Sequence, residues 1–303
     1  MKYDIIIIGG GLSGLTAGIT LAQAGRRVCI VSAGQSSLHF HSGSFDLLGY
    51  DVEGKPVTRP LEAIGQLGAE HPYAKIGFER IARLADEAET LLNEAGVKVK
   101  GDSKKNHYRF SPLGRRIPAW LTTDGYAVCE EADTLPWKRV EILNVQGFLD
   151  FPTEFISAGL KKQGAVCQVK SFTTDELRHA RKSPTEMRAT NIAKVLADRE
   201  SLRKVADCIN AVSGEADVLL LPAVLGFSGD KSLDELKTMV EKPIAYLPTL
   251  PPSVSGVRTA ILLKRLFARL GGTLLVGDKA NGGVFKDGRL VSVTTDHLPD
   301  EAL

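Results

Sequence analysis

Four consecutive isoleucines, Ile5 to Ile8, leave neither face of an extended segment polar, the pattern of a strand buried in a parallel sheet. Three glycines follow at once. Residues 13–24 then carry helical apolar spacing that Gly25 stops, and residues 27–32 supply a second β-branched run. Strand, tight turn, helix and strand in this order predict a right-handed crossover unit, with Ile5 to Ile8 central in the sheet and Val28 to Val31 beside it.

Beyond residue 50 the pattern becomes mixed. An amphipathic helix is expected over 78–95, short strands near Tyr108 and over 117–121, and a second strand, helix, strand series over 140–144, 153–163 and 165–172. A long helical stretch over 185–211, a strand over 217–222, a helix over 232–240 and a strand over 244–247 come next. After the proline-rich turn 248–252, residues 257–270 read as a helix ended by Gly271 and Gly272. Residues 273–278 and 283–295 read as strands, the last folded into a hairpin about Lys286-Asp287-Gly288-Arg289.

The fold class this predicts is α/β: a Rossmann-like nucleotide-binding domain with a parallel sheet, interrupted by an inserted α/β cap domain. The boundaries are 1–50 with 248–303 for the first and 51–247 for the second. A chain of 303 residues has reached the size at which one core commonly becomes two.

Composition narrows the class of function. With 43% hydrophobic and 24% charged residues the chain is an ordinary globular one, and a net charge of +2 gives no field to recruit nucleic acid. Cys29, Cys129, Cys167 and Cys208 stand far apart, which suits neither a metal site nor a disulfide framework and fits a reducing cytoplasm. Asp4 before the isoleucines, and the glycines after them, oppose a signal peptide. No apolar run reaches the roughly 18 residues that a membrane span needs, so direct insertion into a membrane is not expected.

The chemistry concentrates in residues 9–14. Gly9, Gly10, Gly11, Leu12, Ser13 and Gly14 match G-x-G-x-x-G between a predicted strand and a predicted helix. Such a turn brings backbone N–H groups and the positive end of a helix dipole to a pyrophosphate, so these six are candidate cofactor-binding residues. At the end of the second strand, where an acid commonly holds an adenosine ribose, stands Ser32. It is either a weaker ribose partner or a turn residue, which weakens the case for an ordinary adenine dinucleotide and admits FMN, or an unusually held FAD. The loop His39-Phe40-His41-Ser42-Gly43-Ser44-Phe45-Asp46 adds Ser42, Gly43 and Ser44 as candidate contacts to a flavin ring or phosphate.

The segments IIIIGGGLSGLTAG, SSLHFHSGSFDLL, SPLGRRIPAW, QGFLDFP, TEMRATNIAKVLA and YLPTLPPSVSGVR together resemble the B subunit family of the anaerobic glycerol-3-phosphate dehydrogenase. The resemblance implies a cytoplasmic flavoprotein with FMN, or alternatively FAD, in an enzyme that oxidises sn-glycerol 3-phosphate to dihydroxyacetone phosphate and passes electrons to quinone. It implies as partners a catalytic A subunit together with an iron–sulfur C subunit that links the assembly to the inner face of the membrane. For that reaction His39 and His41 are the candidate bases, with solvated loop histidines as the alternative. Arg188 and Arg258 are candidates for the substrate phosphate, with ion pairs or helix surface charge as the alternative. A non-catalytic electron-relay or scaffold subunit is the competing function. Members of the family continue past residue 303, so a strand and a second glycine-rich flavin contact are expected to lie there. The flavin site of these 303 residues is accordingly expected to be incomplete and weak, or the chain an inactive shortened form.

Overall fold

A computed structural model describes residues 3–181, 187–227, 229 and 231–297. The chain divides into two units: residues 1–39, 94–97 and 259–303 form the first, and residues 40–93 and 98–258 the second. The α/β class with parallel sheets is present in both.

In the first unit, strand β1 (Ile5–Ile8), helix α1 (Leu12–Gln23) and strand β2 (Val28–Ser32) form the expected crossover. β1 pairs in parallel with β2 from Ile5 opposite Val28 to Ile8 opposite Val31. The strand Thr273–Val276 pairs in parallel with the other side of β2. Among the described residues β2 is the strand with two neighbours and Ile5–Ile8 has one, which corrects the expectation that Ile5–Ile8 is central. Burial follows the pairing, since every residue of β2 is buried while Ile8 is 68% exposed. An uninterrupted apolar run shows that a strand is flanked on its faces, but not which strand has two hydrogen-bonded neighbours.

Helix α1 lies close to β2 because Gly18 has no side chain. A Cβ there would stand 2.8 Å from Ile30 Cδ1 and 3.1 Å from the Phe267 ring. The hairpin Ala280–Lys286 and Arg289–Thr295 turns at Asp287 and Gly288, both with positive φ (50° and 75°), the conformation that an Asp-Gly pair favours. A cleft of about 200 Å³ lies between residues 3–8 and Leu290 to Val293 of that hairpin.

The second unit is built on a four-stranded parallel sheet in the order Val166–Phe172, Arg139–Val145, Val218–Pro222, Ile244–Leu247. Its large core includes Ile142, Phe148, Phe151, Ile156 and Tyr246. Two small antiparallel sheets accompany it. One holds β3 (Ser44–Phe45), Val99–Gly101 and Leu121–Thr123, and the other His107–Phe110, Arg116–Ala119 and Val128–Cys129.

The helical stretch expected over 185–211 is two helices, Ala189–Val195 and Arg199–Val212, and its first two residues lie outside the described ones. Asp198 makes the break. Its carboxylate accepts from the Ser201 amide at 2.9 Å, which caps the second helix and starts it anew. Among the described residues no helix is long and apolar enough to cross a membrane.

Candidate functional site

The motif glycines of the first unit meet different demands. Gly9 has φ +112°, a conformation open to glycine at little cost, and its N–H donates to Val31 O at 2.8 Å. Gly14 sits on the turn itself, where a Cβ would lie 1.9 Å from Gly9 O and 3.4 Å from Ile7 Cγ2. Gly11 faces open space, for the nearest atom to a Cβ there would be Ser36 Cβ at 3.8 Å. Gly10 packs on β2, its Cβ direction meeting Ser32 Cβ and Oγ at 2.8 Å.

Gly11 is the N-cap of α1, and no side chain caps the helix. The first-turn N–H groups therefore keep their donors for an anion, and Leu12 and Ser13 beside them are exposed. A turn that is narrow beneath and open above fits a phosphate-bearing cofactor.

Ser32 is buried, and its hydroxyl donates to Gly34 O at 3.0 Å. An acid stands just past the end of the neighbouring strand: Asp278, whose N–H, like that of Gly277, donates to Ser32 O. Its carboxylate is taken up by the hairpin and the residues after it: Thr295 Oγ1 donates to it at 2.7 Å and the His297 amide at 3.2 Å. Burial works against its charge, yet these bonds and the His297 ring hold its pKa below the ordinary carboxylate value. His39 lies in the single turn Ser37–Phe40, its pKa lowered by burial and by Lys264.

In the second unit the loop ahead of β3 is held from several sides. Gly43 has φ +87° and lies against Tyr126, whose ring would be 2.9 Å from a Cβ. Its carbonyl accepts from the Thr123 amide at 2.7 Å, while Ser44 pairs with Thr122 and Phe45 with Leu121. His41 packs its ring 4.6 Å from that of Phe45. Its carbonyl accepts from Ser253 Oγ and, at 3.4 Å, from Ser255 Oγ. Ser253 also accepts from the Gly256 amide at 3.0 Å, so a single hydroxyl caps the helix Val254–Arg269 and holds the loop.

The His41 imidazole is polarised by its surroundings. Nδ1 accepts from the Gly43 amide at 3.2 Å, and Nε2 is buried with no hydrogen-bond partner. Burial, reinforced by Arg109 and opposed by a backbone contact with Ser44, pushes its pKa down to about 4. Ser44 Oγ, Thr123 Oγ1 and Thr249 Oγ1 are likewise buried without a partner. Ser42, between His41 and Gly43, is half-buried.

The two candidate phosphate-binding arginines have opposite surroundings. Arg188 is exposed at the N-cap of the helix Ala189–Val195, whereas Arg258 is 3% exposed with Nη1 3.5 Å from Gly226 O. Sequence reasoning misses Thr123, Thr249 and Ser253, since threonine and serine in strands and proline-rich turns carry no spacing signal. Among the described residues no group of three or more His, Cys, Asp or Glu is placed to hold a metal.

A turn of this form at the head of a parallel sheet is that of a protein that binds a nucleotide cofactor, and the family model that matches residues 4–302 is that of an FAD binding domain. The B subunit of the anaerobic glycerol-3-phosphate dehydrogenase from Yersinia pseudotuberculosis is 40% identical over 97% of this chain and 70% of its own length. The protein of the same name from Actinobacillus succinogenes is 34% identical over 100% of this chain and 72% of its own. The chain belongs to this family, that of the anaerobic glycerol-3-phosphate dehydrogenase B subunit. Among solved structures, glycine oxidase from Bacillus cereus overlays loosely, with a TM-score of 0.36 and 11% identity over 100% of this chain and 54% of the other.

Proposed function

We propose that the chain is the flavin-bearing B subunit of an enzyme that oxidises sn-glycerol 3-phosphate to dihydroxyacetone phosphate and delivers the electrons to quinone. The observation that carries the reading is the turn of residues 9–14 within a chain of this family: uncapped N–H donors and an open Gly11 at the head of a parallel sheet. When bound, the flavin supplies the two-electron acceptor that oxidation of a secondary alcohol requires. The chain's own contribution in the first unit is to fix the cofactor phosphate with backbone donors at α1, through Gly10, Gly11, Leu12 and Ser13.

FAD is the favoured cofactor, because the matched model is that of an FAD binding domain. Ser32 gives its hydroxyl to Gly34, so an adenosine ribose would be held by other groups. Arg258 serves as a structural cation of the second unit, and Arg188, being exposed, is the arginine open to a phosphate. The A and C subunits of the same assembly are the proposed partners, and contact with the membrane comes through them.

The test is anaerobic. The chain, alone and with its partner subunits, is titrated separately with FAD and FMN, and glycerol 3-phosphate is then added while the flavin absorbance is followed. Flavin binding followed by substrate-dependent bleaching is expected. Binding without bleaching in the full assembly would instead establish the electron-relay or scaffold role, and failure to bind either flavin would overturn the reading.

A further inference from the structure

We propose that His41 is a hydrogen-bond donor, presenting Nε2–H to a carbonyl or anionic oxygen of a bound ligand, rather than a proton acceptor. The tautomer follows from the loop. The Gly43 amide can only donate, so Nδ1, which receives it at 3.2 Å, carries the lone pair. The proton of the neutral ring is then on Nε2, which is buried with no acceptor in hydrogen-bonding geometry, the Ser44 backbone being the one polar group of the loop that favours a proton on the ring. A buried N–H left unpaired is costly, and such an atom in a loop fixed on several sides calls for a partner that the polypeptide does not provide.

The surroundings define what that partner is. β3 and Leu121–Thr123 are antiparallel with Phe45 opposite Leu121, so Thr123 shares a face with Phe45, against whose ring His41 packs. Thr123 Oγ1 is buried and unpartnered too. Thr249 Oγ1, in the same condition, lies four residues before Ser253, whose hydroxyl holds the His41 carbonyl. The charged group nearest in influence is Arg109, and it disfavours a second positive charge on the ring.

The protonated nitrogen cannot ligate a metal, and the charge of Arg109, itself under the influence of Asp46, disfavours a cation at the ring. Such an N–H donor suits an oxygen that bears or gains negative charge. A small hydroxyketone or its alcohol, as in dihydroxyacetone phosphate and glycerol 3-phosphate, presents such an oxygen. The identity of the ligand rests on the proposed function, whereas the tautomer and the donor role do not.

The experiment is nitrogen NMR of the histidine rings in the full chain labelled with 15N-histidine, from pH 5 to 8, with dihydroxyacetone phosphate as the probe. The His41 signals are assigned by their loss in His41→Gln. The expected result is a neutral Nε2–H ring across the range, with an Nε2 shift when the probe is added. His41→Gln, whose amide nitrogen can occupy the Nε2 position, is expected to bind the probe within about threefold of the parent, and His41→Asn about tenfold or more weakly. Should His41→Asn fail to fold, Thr123→Val serves in its place, with probe affinity several-fold lower.

An Nδ1–H tautomer, a ring that titrates between pH 6 and 7, or probe binding that is equal in the parent and these variants would overturn the proposal. Absence of substrate-dependent flavin bleaching together with an intact Nε2 shift would support it, and would overturn only the dehydrogenase reading.

Discussion

The glycine turn of residues 9–14 and the loop of residues 41–45 present their hydrogen-bonding groups by opposite means. In the first the groups are backbone amides, uncovered because Gly11 has nothing over it and α1 has no cap. In the second they are side-chain atoms, among them His41 Nε2 and Thr123 Oγ1, buried where strand pairing and the Ser253 hydroxyl fix the loop. A backbone site depends on which residues are absent. A side-chain site depends on what distant segments bring to it.

The sharpest break in this comparison is expected at Gly14. In Gly14→Ala the new Cβ would overlap Gly9 O, a backbone atom that cannot swing aside, so a loss of more than about 3 kcal/mol in urea-melt stability is expected. A shift below about 1 kcal/mol would show that the turn is plastic.

The loop should respond to pH as the turn does not. His41 and His107 both have pKa values pushed down to about 4, in each case first by burial, and His107 Nε2 lies 2.6 Å from Thr122 Oγ1. Unfolded, both rings titrate near 6.5, so between that pH and about 4 the unfolded chain binds more protons than the folded one. Their contribution to stability is therefore complete above about pH 6.5 and falls as the pH drops to about 4, by up to about 3 kcal/mol for each ring. Urea melts at about pH 7, 5.5 and 4.5 measure the slope, and His107→Gln should reduce it.

Ser253→Ala removes both a helix cap and the hydroxyl that holds the His41 carbonyl, so about 2 kcal/mol is expected from equilibrium unfolding. The smallest change in stability belongs to Gly11→Val. Its φ of −81° admits a branched residue and no neighbour crowds it, so the unfolding free energy should move by less than about 1 kcal/mol. Flavin affinity, read by fluorescence titration, should nonetheless fall at least about tenfold, because the valine occupies the space left for the phosphate.

The same contrast explains what can be read from the sequence. The turn is legible because G-x-G-x-x-G between a strand and a helix spells out positive φ, close packing and open space in consecutive residues. The hairpin is legible because Asp287-Gly288 selects its turn locally. The place of Thr273–Val276 beside β2 is not, because that pairing joins residues far apart along the chain. Nor are the long-range contacts of the loop, since the Thr123 amide meets the Gly43 carbonyl, and Ser253 the His41 carbonyl, only after the chain has folded. The split of the 185–211 stretch is legible in principle: Asp198 ahead of Ser201 is a cap signal within an otherwise helical pattern.

The central strand of the first unit has one neighbour close in sequence and another very far from it, with Thr273 opposite Cys29. On a ribosome, β1, α1 and β2 emerge long before Thr273–Val276, and through that interval β2 has an open, almost wholly apolar flank. The second unit, apart from four residues, is contiguous in sequence and can condense while synthesis continues. Its condensation shortens the effective loop that must close between the two ends of the first unit, and so lowers the entropy of closing it. The interruption thus bears on assembly: Thr273–Val276 can pair with β2 only after the whole of the second unit has been made, and a chaperone that shields a β-branched strand has its task set by the distance between residues 29 and 273.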